Sequence, residues 1–569
     1  MKKSQLILKT SFIWFVLLIL PLFLYSFLIA DEKSRATAKQ SEPTGQKLPN
    51  IVLVIVDQFR ADASKREGFK LNTTPFLDSL AQTGTWFNKA YCASPACVPS
   101  RTSMFTGRFP NATHVRSNMN VEDAFFKEDL IGVLKSKNYS TALVGKNHSY
   151  LRPKMFDYWK EYSHLDELQT TDPAELAVNK YLHGTNFYMD KNPAPFPASL
   201  QQPARIVEDG ENWITGQQAK EKGKPFFLYM SIPEPHNPYQ VSEPYYSMFP
   251  PESLPSFKAD ASVLPAKGNK WVLHNKMSEM GYPGYIKNIP RLRSNYYGMM
   301  RLIDDQMRSF IGYLQKHDLY ENTVFIFVAD HGDFTGQYGL IKKGVEVPEC
   351  LVRIPMIWHG PGISKNRQPH TAHVSNADIM PTICTLLNVP IPEGVQGRSL
   401  WPLLTGQSYP KEEFSSILVQ QGYGGRHYTD LEEYNPYNQD GTLEKGETKY
   451  DELNTWTQSG MMRMLRKGDW KLVYDMQGNG QLYHLTDDPE ELKNLFDNKK
   501  YLQKQDELLK DLMAWELRLQ DPLPLPRPNK ERHYGFKTDP YNYWAPYKNE
   551  PAEKLKMNMR ANRRESNLK

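Results

Sequence analysis

The chain has 569 residues, 40% of them hydrophobic, so it can bury one large core or two smaller ones. Its formal net charge is only +5, and no basic stripe occurs before the last twenty residues, which excludes the charge pattern of a nucleic-acid-binding protein. The four cysteines lack the spacing of a disulfide-based scaffold.

The N-terminus predicts export. Three lysines in MKKSQLILKT precede an uncharged apolar run, SFIWFVLLILPLFLYSFLIA, and a polar segment follows Ala30. This order is typical of a signal peptide, and Pro21 and Ala30 favour cleavage, but residues 11–30 are also long enough to anchor the chain in a bilayer. Both interpretations predict a periplasmic or extracellular location, with membrane contact only if the segment stays uncleaved. We therefore assign residues 1–30 to a signal peptide or anchor, and the polar, aperiodic residues 31–48 to a linker.

From residue 49 onward, apolar strands alternate with helical segments, which predicts an α/β fold. Ile51–Val56 is a continuous run of apolar, mostly β-branched residues, the pattern of a strand buried on both faces of a parallel sheet. Similar patterns follow, and we predict strands within 139–148, 224–239 and 324–329, and helices within 74–87 and 296–314. This alternation predicts one large domain, residues 49–405, built on a mixed or parallel sheet.

The residue pattern changes after residue 405, and a smaller α+β subdomain is predicted over residues 406–520. Residues 469–474 alternate in polarity, a Gly-Asn-Gly turn follows, and residues 481–485 return as a partner strand. Residues 490–517 have helical periodicity. A Pro-rich and basic extension, residues 521–569, ends the chain.

Polar side chains follow several of the predicted strands at the point where each strand ends. Ligand sites in open α/β sheets gather at the carboxyl ends of the strands, so these residues are expected at one edge of the sheet. Any one of them alone is more often a helix cap, a turn former or a packed loop residue, and only their recurrence favours a single site. The set comprises Asp57, Gln58, Lys146, His148, His236, Asp330 and His331, joined by Lys343 and the loop around Cys97.

The residue types indicate the chemistry. Oxygen ligands such as Asp57, Gln58 and Asp330 suit Ca²⁺ or Mg²⁺, and the nitrogen of His331 extends the choice to Mn²⁺. Lysines and an arginine around the ion would balance the charge of a tetrahedral oxyanion, and histidines would supply an acid or a base near neutral pH. The residues therefore predict a metal-assisted hydrolase of sulfate or phosphate esters.

The stretch Cys97-Val98-Pro99-Ser100-Arg101, followed by Thr106-Gly107-Arg108, resembles the signature of type I sulfatases. Further stretches resemble other parts of the family pattern, at residues 50–58, 145–148, 235–238, 329–333 and 343–344. The resemblance implies an alkaline-phosphatase-like fold, with a large mixed sheet sandwiched by helices and a smaller C-terminal α+β subdomain.

In that family the signature cysteine is converted after synthesis to formylglycine, an aldehyde, by a dedicated maturation enzyme. The resemblance therefore implies that Cys97 is modified, that Arg101 holds the new side chain, and that one hydroxyl of the hydrated aldehyde attacks sulfur. It also implies a divalent ion, Ca²⁺ with Mg²⁺ or Mn²⁺ as alternatives, whose ligands would be Asp57, Gln58, Cys97, Asp330 and His331.

The resemblance assigns roles to four further residues. Lys146 and Lys343 would stabilise the sulfuryl oxygens. His236 would protonate the leaving alcohol. His148 would accept the proton of the second hydroxyl, whose collapse releases sulfate.

Two departures from the family pattern keep other functions open. Gln58 replaces an acid that is common in the family, and His331 replaces a common asparagine. Both residues also occur in related phosphonate and phosphate ester hydrolases that use the same aldehyde. An inactive relative that only binds sulfated glycans is a third hypothesis, against which the complete set of site residues argues.

Export and the 12% aromatic content favour a sulfated carbohydrate substrate, either an algal polysaccharide such as ulvan or a glycosaminoglycan. Residues that set specificity are expected on loops around the site, and His114, Arg116 and the segment 421–459 are the candidates. Cys92, which lies outside the signature, is expected to pack in the core or to form a bridge.

Overall fold

The computed structural model describes residues 47–118, 120–165, 170–344, 346–422 and 460–520. The described residues from Pro49 onward belong to one compact unit. The predicted export segment, nearly all of the predicted linker and of the 421–459 segment, and the C-terminal extension lie outside these ranges. Within them, no helix combines the length and the apolarity needed to span a bilayer.

The strands fall into a large sheet, a small sheet and one short pair. In chain order they are β1 (Asn50–Val56), β2 (Thr85–Trp86), β3 (Ala90–Tyr91), β4 (Ser140–Gly145), β5 (Tyr158–Glu161), β6 (Phe226–Ile232), β7 (Thr323–Ala329), β8 (Met356–His359), β9 (Val374–Ser375), β10 (Ser416–Gln421), β11 (Met462–Lys467), β12 (Trp470–Asp475) and β13 (Gly480–His484).

The large sheet has the order β2-β8-β7-β1-β6-β4-β5. Strands β7, β1, β6, β4 and β5 run parallel, whereas β8 is antiparallel to both of its neighbours, so the sheet is mixed as predicted. Every residue of β1, β6 and β7 is buried, which explains why these strands read as continuous apolar runs rather than as alternating ones.

The helices of seven or more described residues are α1 (Pro75–Gln82), α2 (Cys97–Thr106), α3 (Leu130–Ser136), α4 (Pro173–Gly184), α5 (Gln202–Lys220), α6 (Asn269–Gly281), α7 (Ile289–Lys316), α8 (Ile379–Leu386) and α9 (Leu502–Leu519). Two groups of these helices pack with the large sheet: α7 contacts both α1 and α5 in one group, and α2, α3 and α8 contact one another in the other.

The small sheet is the predicted C-terminal subdomain. Its strands β10, β11, β12 and β13 are antiparallel in sequence order, and α9 packs against β11 and β12. The buried indole of Trp515 on α9 donates to the Ser416 hydroxyl of β10 at 2.9 Å. The predicted domain boundary near residue 405 stays a prediction.

Two predicted helices differ from the observed ones. The helix predicted over 296–314 extends to Ile289–Lys316. The helix predicted from residue 490 begins only at Leu502, so that prediction is wrong at its start. The segment before Leu502 forms hydrogen bonds with β13 instead. The backbone N–H of Leu495 donates to the Leu482 carbonyl at 2.8 Å, and the backbone N–H of Leu482 donates to the Asn494 side chain at 2.9 Å.

Candidate active site

The candidate site lies at the carboxyl ends of four parallel strands. In the register of the sheet, Val56 of β1 faces both Ile232 of β6 and Ala329 of β7, and Gly145 of β4 faces Ser231 of β6. The residues that follow these strand ends therefore share one edge, which is the geometry of ligand sites in parallel α/β sheets.

Gly145 is required where β4 leaves the sheet. Its φ of +114° lies in a region that side chains disfavour, and a Cβ atom there would lie 1.9 Å from the Ser231 carbonyl oxygen. The close approach allows the backbone N–H of Lys146 to donate to that same oxygen at 2.9 Å. The glycine thus fixes the backbone from which the Lys146 side chain enters the site.

Cys97 lies in the first turn of α2, at the end of the helix where unpaired N–H groups favour negative charge. Its buried sulfur is 3.2 Å from Nε2 of His331 and 3.6 Å from Oδ1 of Asp57. The Ser100 hydroxyl, one turn further, donates to the Asp330 carbonyl at 2.6 Å. These contacts fasten the signature helix to the ends of β1 and β7.

Arg101 is completely buried beneath Cys97 and uses its whole guanidinium group. Nε donates to Asp330 at 2.8 Å and Nη2 to Asp57 at 3.2 Å, so one cation pairs with two carboxylates. Nη1 donates to the Lys146 carbonyl and to two hydroxyl groups of β6, those of Tyr229 and Ser231. The planar, forked donor geometry of arginine makes this possible.

Four buried side chains form a group that fits a divalent cation. Asp57, Cys97, Asp330 and His331 each offer a ligand atom, and these atoms all lie within 4.8 Å of one another. Nε2 of His331 is 3.8 Å from Asp57 Oδ1 and 3.9 Å from Asp330 Oδ1. Oxygen ligands held at about 2.4 Å from one Ca²⁺ have comparable separations of about 3.5 Å. The donor set is two carboxylates, an imidazole and the Cys97 side chain.

His331 has the tautomer that a metal ligand needs. Nδ1 lies 2.9 Å from the Gly332 carbonyl and donates to it, which leaves Nε2 facing the carboxylates. Burial opposes a charge on this ring, but Asp330 and the Cys97 sulfur raise the pKa of His331 to about 9. A cation bound between the same carboxylates would displace that proton.

Gln58 lies next to this group in a strained conformation. Its φ of +59° is uncommon for a residue with a side chain. Its backbone N–H donates to Asp330 at 3.2 Å, and its side-chain amide donates to Asp333. The amide oxygen accepts from Lys343 at 3.2 Å. Gln58 thus joins the carboxylate group to the second lysine of the site.

Lys146 pairs with Asp57 from the opposite side. Burial alone would favour protonated Asp57, but the charges of Lys146 and Arg101 hold the pKa of this carboxyl well below its ordinary value. The ionised form is the one that binds a metal ion.

The two catalytic-histidine candidates are both in the site region. His236 lies after β6, with Nδ1 2.7 Å from the Asn237 carbonyl and Nε2 3.3 Å from Lys343. His148 follows Lys146 with a φ of +41°. Burial is the main cause that lowers the pKa of both rings, assisted by His164 and Lys343 at His236 and by Lys146 at His148. Both rings are therefore neutral in the free protein.

The structure adds two residues that sequence reasoning missed. His164, after β5, lies 2.6 Å from Lys146 and stacks on His236 with ring centroids 3.7 Å apart. Asp333 accepts from Gln58 and, at 2.7 Å, from Tyr239. Asp333 was visible in the Asp-His-Gly-Asp stretch. His164 had no local motif, and the strand before it, Tyr-Trp-Lys-Glu, lacks an apolar run.

The specificity candidates lie on the segment beside α2. Asn118, in that segment, accepts from the backbone N–H of Val98 at 3.0 Å. His114 is exposed and stacks on the half-exposed ring of Phe125 at 5.5 Å. Arg116 is half-buried, and its Nε has no hydrogen-bond partner among the described residues. A role in specificity stays a prediction for both, and the third candidate, 421–459, lies almost wholly outside the described residues.

Cys92 packs rather than bridges. All four cysteines are buried free thiols, and the Cys92 sulfur lies 3.9 Å from the Leu351 carbonyl.

Comparison with known proteins identifies the family. A model of the sulfatase family matches residues 49–389. The chain belongs to the sulfatase family. This sulfatase is 26% identical over 495 residues to an arylsulfatase of Clostridium perfringens, an alignment that covers 82% of this chain and 94% of the relative. It is 28% identical over 397 residues to an ulvan-active sulfatase of Formosa agariphila, with 67% of this chain and 69% of the relative covered.

Solved structures confirm the predicted alkaline-phosphatase-like fold. The phosphonate monoester hydrolase of Agrobacterium radiobacter superimposes on this sulfatase with a TM-score of 0.67 and 20% sequence identity, covering 83% of this chain and 96% of the other. The family assignment identifies the chain as a sulfuric ester hydrolase.

Proposed function

We propose that this sulfatase is exported and hydrolyses sulfate esters of a sulfated carbohydrate, using a formylglycine formed from Cys97 and a divalent metal ion. The observation that carries the proposal is the position of Cys97, buried between Asp57 and His331 at the N-terminus of a helix. The ulvan-active relative supports a carbohydrate substrate. The N-terminal signal pattern supports export.

A bound metal ion and a modified side chain would complete the site. The ion, Ca²⁺ or alternatively Mg²⁺ or Mn²⁺, would act as a Lewis acid that neutralises charge on the sulfuryl group, held by Asp57, Gln58, Asp330, His331 and the modified residue 97. The aldehyde would supply a hydrated nucleophile, and its formation requires a formylglycine-generating maturation enzyme as a partner. The Cys97 sulfur stands where an oxygen of that side chain would lie.

The chain's own cations would bind and orient the ester. Lys146 approaches the ligand group from the end of β4 and pairs with Asp57, and Lys343 approaches it from the loop after β7 and pairs with Gln58. Their ammonium groups would donate to sulfuryl oxygens and stabilise the charge that develops there. Arg101 would hold residue 97, because its guanidinium fixes both carboxylates that flank it.

The histidines would move protons at defined atoms. Since Nδ1 of His236 bonds the Asn237 carbonyl, Nε2 is the atom that would deliver a proton to the leaving oxygen. The negative charge of the bound ester would favour that protonation. His148, neutral and half-buried, would accept the proton whose removal releases sulfate.

Gln58 and His331 favour a second candidate, hydrolysis of phosphonate or phosphate diesters on the same scaffold. The test compares kcat/KM for 4-nitrophenyl sulfate, for sulfated oligosaccharides and for a phenylphosphonate monoester. A sulfatase is expected to prefer the sulfate esters by at least about 100-fold, which is about 3 kcal/mol of transition-state stabilisation. A preference for the phosphonate would overturn the proposal.

Mass spectrometry of the tryptic peptide from Ala90 to Arg101 tests the nucleophile. An aldehyde or its hydrate at residue 97 is expected in protein from its own source. Cys97→Ala should abolish turnover, whereas the matched control Cys92→Ala, in the same peptide but outside the site, should retain it. An unmodified Cys97 in active protein would contradict the mechanism. A wild-type protein that turns over no ester, and whose glycan binding is unchanged in Cys97→Ala, would contradict it as well and would favour the binding hypothesis.

A further inference from the structure

The site contains two lysine–histidine pairs whose rings lie face to face. Nζ of Lys146 is 2.6 Å from Nε2 of His164, and Nζ of Lys343 is 3.3 Å from Nε2 of His236. The two imidazole rings stack at 3.7 Å with an angle of 20° between them. Phe187 contacts both rings, with its centroid 5.6 Å from each.

The lysine determines the tautomer of His164. The Lys146 ammonium group also pairs with Asp57, and an ammonium group can only donate hydrogen bonds. Nε2 of His164 must therefore accept, and in a neutral ring the proton then resides on Nδ1. The ring is neutral because burial and the Lys146 charge both lower its pKa.

Within the described part of the chain, the Nδ1–H of His164 has no acceptor. This atom is buried and has no hydrogen-bond partner among the described residues. Nδ1 of the stacked His236 differs, because it bonds the Asn237 carbonyl. A buried donor without an acceptor costs free energy, so a molecule that accepts a hydrogen bond from it would gain affinity. An oxygen of a bound molecule would supply the missing acceptor.

We propose that His164 is a further substrate-contacting residue of this sulfatase, whose Nδ1–H donates a hydrogen bond to an oxygen of the bound sulfate ester while Nε2 accepts from Lys146. The inference rests on the proposed sulfatase activity and adds one contact to it. The stack on His236 places this neutral donor beside the ring that would protonate the leaving group. His164 thus binds the ester without competing for that proton.

Two conservative variants separate the two edges of the ring. The amide nitrogen of His164→Asn lies near the position of Nδ1 and keeps the donor, whereas the amide of His164→Gln lies near Nε2 and keeps only the contact with Lys146. His164→Ala removes both. We expect His164→Asn to retain kcat/KM for 4-nitrophenyl sulfate within about fivefold. His164→Gln and His164→Ala should lose about 10- to 100-fold, the size of a hydrogen bond to a charged group.

Inorganic sulfate gives a second readout that does not depend on turnover. Its dissociation constant, measured by calorimetric titration of the metal-loaded protein, should rise about 10-fold or more in His164→Gln and little in His164→Asn. Thermal midpoints and metal content of the variants establish that each is folded and loaded. His317→Gln, at an exposed helix end, is the matched control and should change neither quantity.

The opposite order, with His164→Gln active and His164→Asn impaired, would show that His164 only positions Lys146 and would overturn the inference. Equal losses in all three variants, or no loss in any, would overturn it as well. A wild-type enzyme that turns over no sulfate ester would instead refute the proposed function, and the sulfate titration would still test the contact.

Discussion

Arg101 combines proposed roles in maturation and in the metal site with a structural role in the fold. It belongs to the stretch that resembles the maturation signature, and its guanidinium also pairs with Asp57 and Asp330. A loss of activity in an Arg101 variant would therefore not reveal which role failed. The stability of the metal-free protein separates them, because without a bound ion the buried ion pairs of Arg101 still contribute to the free energy of unfolding.

We predict that Arg101→Lys lowers the free energy of unfolding by about 3 kcal/mol. A single ammonium group cannot reach both carboxylates and the acceptors on β6, so at least one buried carboxylate loses its ion pair with residue 101. Denaturant unfolding with and without Ca²⁺ measures the loss. Arg152→Lys, on an exposed pair with Glu122, is the control and should change stability by less than about 0.5 kcal/mol. An Arg101→Lys protein as stable as wild type would contradict the structural role.

At the scale of single residues, the sequence predicted those side chains whose neighbours in the chain carry a pattern. Cys97 and Arg101 share one signature, and Asp57 follows an unmistakable buried strand. His164 could not be found in this way, because its contacts with Lys146 and His236 arise only when three separate strand ends meet. A lone histidine after a polar strand carries no signal of that meeting.

Strand ends act as the elements that position the site, and Gly145 is the clearest example. Its φ of +114° and the 1.9 Å approach to Ser231 leave no space for a side chain. We predict that Gly145→Ala lowers the free energy of unfolding by at least about 2 kcal/mol, through backbone strain and overpacking. Because Lys146 is the next residue, kcat/KM for the sulfate ester should fall as well.

The control substitution for this prediction should change the free energy of unfolding in the opposite direction. Gly216 lies inside helix α5, with nothing within 4 Å of the position of its Cβ and without a positive φ. Gly216→Ala should therefore stabilise the protein by about 0.5–1 kcal/mol through helix propensity and leave activity unchanged. Thermal unfolding and the sulfate ester assay measure both variants. A Gly145→Ala enzyme with wild-type stability would mean that the strand end can shift freely.

Elements buried on both faces were the most predictable. The strands at β1, β6 and β7 follow apolar runs, since every residue in them is buried. The start of helix α9 was less predictable, because the residues before Leu502 have helical periodicity but donate backbone hydrogen bonds to the neighbouring strand. The local sequence pattern does not show whether a backbone N–H donates within a helix or to a neighbouring strand, because the second choice depends on tertiary contacts.

The two sheets are joined by buried charges, which bears on how the whole molecule unfolds. Lys471 of β12 is completely buried and pairs with Glu491 at 2.6 Å and with Glu349 at 3.3 Å. The Lys471 ammonium also donates to the Val347 carbonyl at 2.6 Å. Glu349 lies six residues after Lys343, so this cluster ties the small sheet to the segment that supplies a site lysine.

We predict that Lys471→Met lowers the free energy of unfolding by about 3 kcal/mol, because the buried Glu491 and the partly buried Glu349 lose their shared ion pair. Lys467→Met on the neighbouring strand, where the pairs with Glu507 and Asp511 are half-exposed, should cost less than about 1 kcal/mol. Calorimetry of the wild type should show one transition for both sheets. Two separate transitions would contradict this coupling and would favour an independent C-terminal subdomain.

The pH dependence of the stability difference between wild type and Lys471→Met tests whether Lys471 acts through its charge. Burial favours protonated Glu349, but Lys471, Arg466 and Arg353 hold the pKa of this carboxyl below its ordinary value of 4.5. A carboxyl whose pKa is lower in the folded state contributes stability above its unfolded pKa and loses that contribution as the pH falls through the folded one. The stability advantage of wild type over Lys471→Met should therefore be full at pH 7 and shrink below about pH 4.5, whereas a difference that is constant across this range would show that Lys471 acts through packing alone.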